Sequence, residues 1–172
     1  ALLTLGGARE DLSALTGELS ELAVSEKLHI GVSDSRRGPE GGALGLREAR
    51  DSARVTAALT PSGGALAYSD LGAYRYLVHL PVADLLGDRH SAAVRRLLEY
   101  DAQRKARLVD TLEEYLRNRG SAVTTARNLY VHPNTLRQRL ERVETITGLE
   151  LNAEDLLSLE LAIKLVRLRG ES

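Results

Sequence analysis

The chain has 172 residues, of which 43% are hydrophobic and 27% charged, and its formal net charge is −1. That composition is ordinary for a globular protein with room for one domain or two small ones. The absence of cysteine excludes disulfides, thiolate nucleophiles and thiolate metal sites. No apolar run approaches the roughly 18–20 residues that span a bilayer, and no secretory signal is visible, so a cytoplasmic location with no membrane partner is expected.

In chain order, Ala1 to Leu5 is a short apolar run closed by Gly6-Gly7, which predicts a buried strand. Asp11 to Val24 carries Leu12, Leu15, Leu19 and Leu22 at the spacing of an amphipathic helix. Lys27 to Ser33 alternates in the manner of a strand, and Asp34 to Gly42 reads as a turn-rich loop. A helix is predicted from Leu44 to Leu59, followed by strands at Ala65 to Tyr68 and Tyr74 to Leu80, with a turn or short helical piece at Leu71-Gly72. The alternation indicates an α+β or α/β module with helices packed on a sheet, ending near Pro81. Val82 to His90 connects it to an all-helical remainder. There the pattern predicts helices from Ala92 to Tyr100 and from about Ala102 to Asn118, with Gly120 as the C′ residue. A final helix is expected to be capped by Asn152, with Glu154 and Asp155 in its first turn. Its leucines cover so wide a surface that burial on two sides is expected, partly against a partner or neighbouring domain.

Between those helices lies SAVTTARNLYVHPNTLRQRLER, Ser121 to Arg142, which reads as two short helices joined by a tight turn. Ser121 is an N-cap, and Ala122, Ala126 and Leu129 form an apolar face. Pro133 suits the first position of a second helix, whose apolar stripe is Leu136, Leu140 and Val143 and which Gly148 ends. From Arg117 to Arg142 six arginines face one acid, a local charge of +5 in a nearly neutral chain. A helix-turn-helix that binds double-stranded DNA is the expected use of such a segment. Thr135, Arg137 and Gln138 lie early in the second helix, where base edges are read. Arg139, Arg142, Thr124 and Thr125 are candidates for phosphate, and His132 and Asn134 either contact DNA or cap the helix.

The residues from Leu97 to Leu168, with the succession LLEYD, TLEEYL, TARNLYVHPNTLRQRL, ITGLEL and LELAIKL, resemble the C-terminal part of the PucR-type transcription regulators. Two departures stand out: Pro133 where the family more often has arginine, and Gln138 where it often has an aromatic residue. ALLTLGG, KLHIGVSDS, LREARDSARVTAAL and GALAYSDLG resemble the second half of the GGDEF-like domain of such regulators, although neither GGDEF nor GGEEF occurs. The resemblance implies an α+β N-terminal module, half of a GGDEF-like, ferredoxin-type sheet with helices, over residues 1–90. An all-α helix-turn-helix domain over residues 91–172 follows it. It also implies a bacterial regulator that is not an enzyme, acts as a homodimer or higher homo-oligomer, and answers an effector through a domain missing from this chain.

The four histidines (His29, His79, His90, His132) are dispersed, so no metal is expected, and the asparates of the loops are turn formers and caps. No phosphate-binding loop or nucleophile elbow occurs, so no catalytic residue and no cofactor are expected. The arginines from Leu44 to Leu59 form a solvated face or a dimer contact. A nucleotide-handling enzyme or cyclic-nucleotide sensor on a cyclase-like domain is the alternative; it needs an acidic pair and a glycine hairpin. A helical protein-interaction module is a third reading. Because the chain starts at Ala1 within a strand-like run and without methionine, a piece of a longer protein is expected.

Overall fold

The computed structural model describes residues 9–34, 38–81 and 87–170. The expected strand at Ala1 to Leu5 lies outside them, as does most of the Val82 to His90 connection. The chain divides into two compact units, Ala1–Leu80 and Pro81–Ser172.

The N-terminal unit runs α1 (Arg9–Glu26), β1 (His29–Val32), α2 (Gly38–Leu59), β2 (Gly64–Ala67), a 3-10 turn (Tyr68–Leu71) and α3 (Tyr74–Leu77). β1 and β2 pair in parallel, Ile30 opposite Ala65, with α2 as the crossover between them. α2 packs on β1 and α1 on β2. The approach of α2 to β1 is close because Gly31 has no side chain: a Cβ there would lie 1.9 Å from the Ala49 carbonyl oxygen. Ser52 and Thr56 are fully buried on α2, and their hydroxyls donate to Glu48 O and Ser52 O one turn back.

Two expectations fail here. Gly38 to Gly42 is the first turn of α2 rather than loop, so its glycines do not stop the helix. Tyr74 to Leu80 is not a strand. Tyr74, Leu77 and Val78 are buried at helical spacing while Tyr76 is exposed, and that period outweighs the strand preference of Tyr and Val.

The C-terminal unit is helical among its described residues: α4 (Arg89–Arg104), α5 (Leu108–Arg117), α6 (Ala122–Asn128), α7 (Pro133–Thr147) and α8 (Leu156–Arg169). Its core is branched aliphatic, with Leu97, Leu112, Leu136, Val143, Leu159, Ile163 and Val166 at most 1% exposed. Leu149 and Leu151 plug it from the loop after α7.

The expected helix from Ala102 to Asn118 is broken. α4 continues to Arg104, Lys105 and Arg107 take left-handed backbone, and α5 begins at Leu108. Asp101 makes the break: its carboxylate accepts the first amides of α5, Leu108 N at 2.9 Å and Val109 N at 2.8 Å. At the end of α5 the left-handed C′ position belongs to Arg119, with Gly120 one residue beyond it. Asp155, not Asn152, caps α8; the Ser158 hydroxyl and the Leu157 amide bond to the Asp155 carboxyl and hold it below the usual range. α8 packs on α4 and α5, so its wide apolar surface is covered within the unit, and of its leucines only Leu157 is exposed.

Candidate nucleic-acid interface

α6 and α7 owe their ends to residues visible in the sequence. The Ser121 hydroxyl accepts the Thr124 amide at 3.4 Å and starts α6. Pro133 occupies the first turn of α7, where the His132 ring caps by accepting the Asn134 amide on Nδ1 at 3.2 Å. That bond requires a bare Nδ1, so the neutral ring carries its proton on Nε2, free to donate outward. Gly148 closes α7 at φ 71°, a backbone that favours glycine, and the Arg96 guanidinium donates to the last-turn carbonyl of Thr147 at 2.6 Å.

Between α6 and α7 the chain turns through Tyr130. Val131 N bonds Ala126 O and Tyr130 N bonds Arg127 O, the pair of bonds that ends a helix with a left-handed C′ residue. The residue at C′ is a tyrosine at φ 53°, and it is 96% exposed. An aromatic side chain in that backbone is uncommon and costs about 1–2 kcal/mol. Sequence reasoning passed over it.

α7 presents three strips. At about 100° per residue, Asn134, Gln138 and Thr145 lie in the middle of the face opposite Leu136. Arg137, Glu141 and Glu144 form one edge, and Thr135, Arg139 and Arg142 the other. Burial follows this order: Leu136 and Val143 are buried, whereas Asn134, Thr135, Arg137, Gln138 and Arg142 are exposed. Arg137 Nε stands 3.8 Å from Glu141 Oε1, a loose exposed pair that competes little with an anion. Its edge borders a cleft of about 380 Å³ whose lining includes Tyr115, Ala122, Val123, Glu144 and Asn152. Burial there, with Glu144 nearby, pushes the Tyr115 hydroxyl up.

The predicted site residues do not all reach this face. Thr125 is fully buried. Its hydroxyl donates to Ser121 O at 2.8 Å and accepts from the Asn118 amide, so it is an internal brace rather than a phosphate ligand. Thr124 is half-buried, with its hydroxyl taken by Ser121. Arg139 is half-buried as well, and its guanidinium lies 3.5 Å from the Thr111 hydroxyl on α5.

Glu114 ties α6 to α5. Its carboxylate accepts the side-chain amides of Asn128 at 2.8 Å and Asn118 at 2.9 Å, and it pairs with Arg117. The Asn128 amide above all, with Asn118 and Arg117, holds the Glu114 carboxyl below the usual range against the opposing effect of burial. Among the described residues no group of three or more His, Asp or Glu side chains could hold a metal, and no helix is long and apolar enough to cross a membrane.

Helices α5 to α8 therefore form a helix-turn-helix with its supporting helices. Residues 108–165 match the PucR C-terminal helix-turn-helix domain. The chain is 30% identical over 99 residues to the DNA-binding transcriptional activator AdeR of Bacillus subtilis, covering 57% of this chain and 24% of AdeR. It is 29% identical over 85 residues to the proline-responsive transcriptional activator PutR of the same organism, covering 49% of this chain and 21% of PutR. A Haemophilus influenzae protein of uncharacterised role is 39% identical over 89 residues, 49% of this chain and 24% of that protein. The matched parts thus span about a quarter of these relatives' length. No solved structure matches the chain.

Proposed function

We propose that this chain is the DNA-binding part of a bacterial transcription regulator, which reads its operator with α7. The observation that carries the reading is the exposed strip of Asn134, Thr135, Arg137, Gln138 and Arg142 over the buried Leu136–Val143 seam, in a domain whose relatives include named transcriptional activators. Asn134, Thr135, Arg137 and Gln138 meet base edges in the major groove. Arg142, the outward Nε2 of His132 and the start of α6 at Thr124 take phosphates, with Arg139 joining from its half-buried seat. Pro133 supplies no side-chain donor, so it shifts phosphate contact onto its neighbours. Binding weakens steeply with salt, because each phosphate neutralised releases counterions.

The finer reading extends to the rest of the chain. The N-terminal unit is part of a GGDEF-like domain, a view its parallel β1–α2–β2 crossover supports. The protein works in the cytoplasm without an enzymatic activity of its own, and an effector acts through a further domain of the longer protein. Two copies place two α7 helices in successive major grooves, about 34 Å apart. Genomic footprinting of the intact protein tests this: discrete sites with paired half-sites are expected, and even occupancy along the genome would overturn operator reading.

A further inference from the structure

The turn between α4 and α5 carries Arg104, Lys105 and Arg107 within four residues, and all three are exposed. We propose that this turn is a second phosphate-gripping site, which holds the DNA backbone beside the Arg139–Arg142 edge of α7. The inference rests on the reading of α7 as the DNA-facing helix.

The Arg139 guanidinium on α7 reaches the Thr111 hydroxyl at 3.5 Å, and that hydroxyl donates to Arg107 O at 3.0 Å. The basic turn therefore sits next to one edge of α7, the edge of Thr135, Arg139 and Arg142. The start of α6 borders the opposite edge, at Arg137 and Glu144, across the cleft. A helix lying in the major groove has a phosphate strand on each side. α6 serves one side, and the α4–α5 turn is placed to serve the other.

Charge supports the same conclusion. The Asp101 carboxylate beside the turn is occupied by the Leu108 and Val109 amides and makes no salt bridge with the turn's basic side chains, so their donors stay open to an anion. Asp110 pairs with Arg107 at 2.9 Å and also lies 3.7 Å from Arg167, which leaves Arg107 partly balanced. Arg104 and Lys105 have no ion pair among the described residues. Both edges of α7 carry arginine, but the Arg137 edge also holds Glu141 and Glu144, whereas the turn extends the Arg139–Arg142 edge with further positive charge. Lys105 and Arg107 both take left-handed backbone at φ 53°, a tight form that the Asp101 bonds to Leu108 and Val109 help to hold.

The test is a salt titration of the whole 172-residue chain against a fluorescein-labelled, mixed-sequence DNA duplex between about 50 and 200 mM salt. The variant is Arg104→Gln with Lys105→Asn, since asparagine tolerates left-handed backbone. The matched control removes two exposed charges from α2, Arg47→Gln with Arg50→Gln. The proposal predicts that the slope of log K against log salt becomes shallower by about 2 in the variant, at about 0.9 per phosphate contact. The control should keep the parent slope. If circular dichroism shows the double variant melting early, Arg104→Gln alone should still lose about 0.9 of slope. An unchanged slope, or an equal loss in the control, would overturn the second site and leave the reading of α7 standing. A parent chain that binds no duplex at all would overturn both.

Discussion

The two units bury their chemistry differently. In the C-terminal unit leucine, isoleucine and valine from α4, α5, α7 and α8 interlock, and ten of the twelve largest fully buried side chains among the described residues belong to it. The N-terminal unit contributes Val55 and Thr56 to that set and otherwise relies on alanines against a two-stranded sheet, with Leu71, Tyr74, Leu77 and Val78 beside them. It also exposes Leu22, Val24, Leu28, Leu44, Leu46 and Tyr76, whereas the C-terminal unit exposes Val123, Tyr130 and Leu157. Apolar burial is the main stabilising term, and among the described residues the C-terminal unit carries the larger share of it. A DNA-binding helix gains from the first arrangement, because a rigid base keeps its side chains in register with the groove.

The largest expected effect would break the C-terminal unit. Leu112→Ala removes a fully buried side chain and should cost about 2–5 kcal/mol in the urea transition of the C-terminal unit, with the N-terminal transition unmoved. In the N-terminal unit the sensitive point is contact rather than bulk. Gly31→Ala would press a methyl group onto the backbone of α2 and should cost about 1–3 kcal/mol there, read by the same titration, with DNA binding retained.

Binding is expected to respond where stability does not. Arg137→Ala on the exposed edge of α7 should weaken specific operator binding by about 1–3 kcal/mol if it pairs with a guanine, and leave melting unchanged. Tyr130→Gly relieves the left-handed strain and should stabilise the C-terminal unit by about 1 kcal/mol in thermal melts. If that exposed ring meets the DNA, the same variant binds more weakly, and stability and affinity part company.

The smallest effect concerns pH. The Glu114 carboxyl is held lower in the folded unit than its ordinary value of 4.5, so its contribution is present above that value. It is lost as pH falls through the lowered folded pKa. Glu114→Gln should flatten this acid branch of the stability curve, measured by circular dichroism melts between neutral and acid pH.

The start of α6 and both ends of α7 were legible because single residues set them: Ser121, Pro133 and Gly148 act through their own side chain or backbone. The break between α4 and α5 was not. Tyr100 to Asn118 contains neither glycine nor proline, and the signal is Asp101, which caps amides seven and eight residues ahead. The misread segment from Tyr74 is short enough for helix and strand periods to overlap, and only its burial separates them. Within the site, residue type suggested Thr125 as a phosphate ligand, but its place on α6 puts it against Asn118 and out of solvent. Tyr130 escaped notice for the opposite reason. An aromatic residue between apolar neighbours reads as core, and only the φ of 53° turns it outward.

The most direct test of the central claim is an amide chemical-shift map of the chain on titration with duplex DNA carrying the footprinted operator. The account predicts shifts concentrated from Ser121 to Arg142, largest along the exposed strip of α7 and weakened by salt. Shifts confined to the N-terminal unit, or none at DNA concentrations that saturate the footprint, would contradict it.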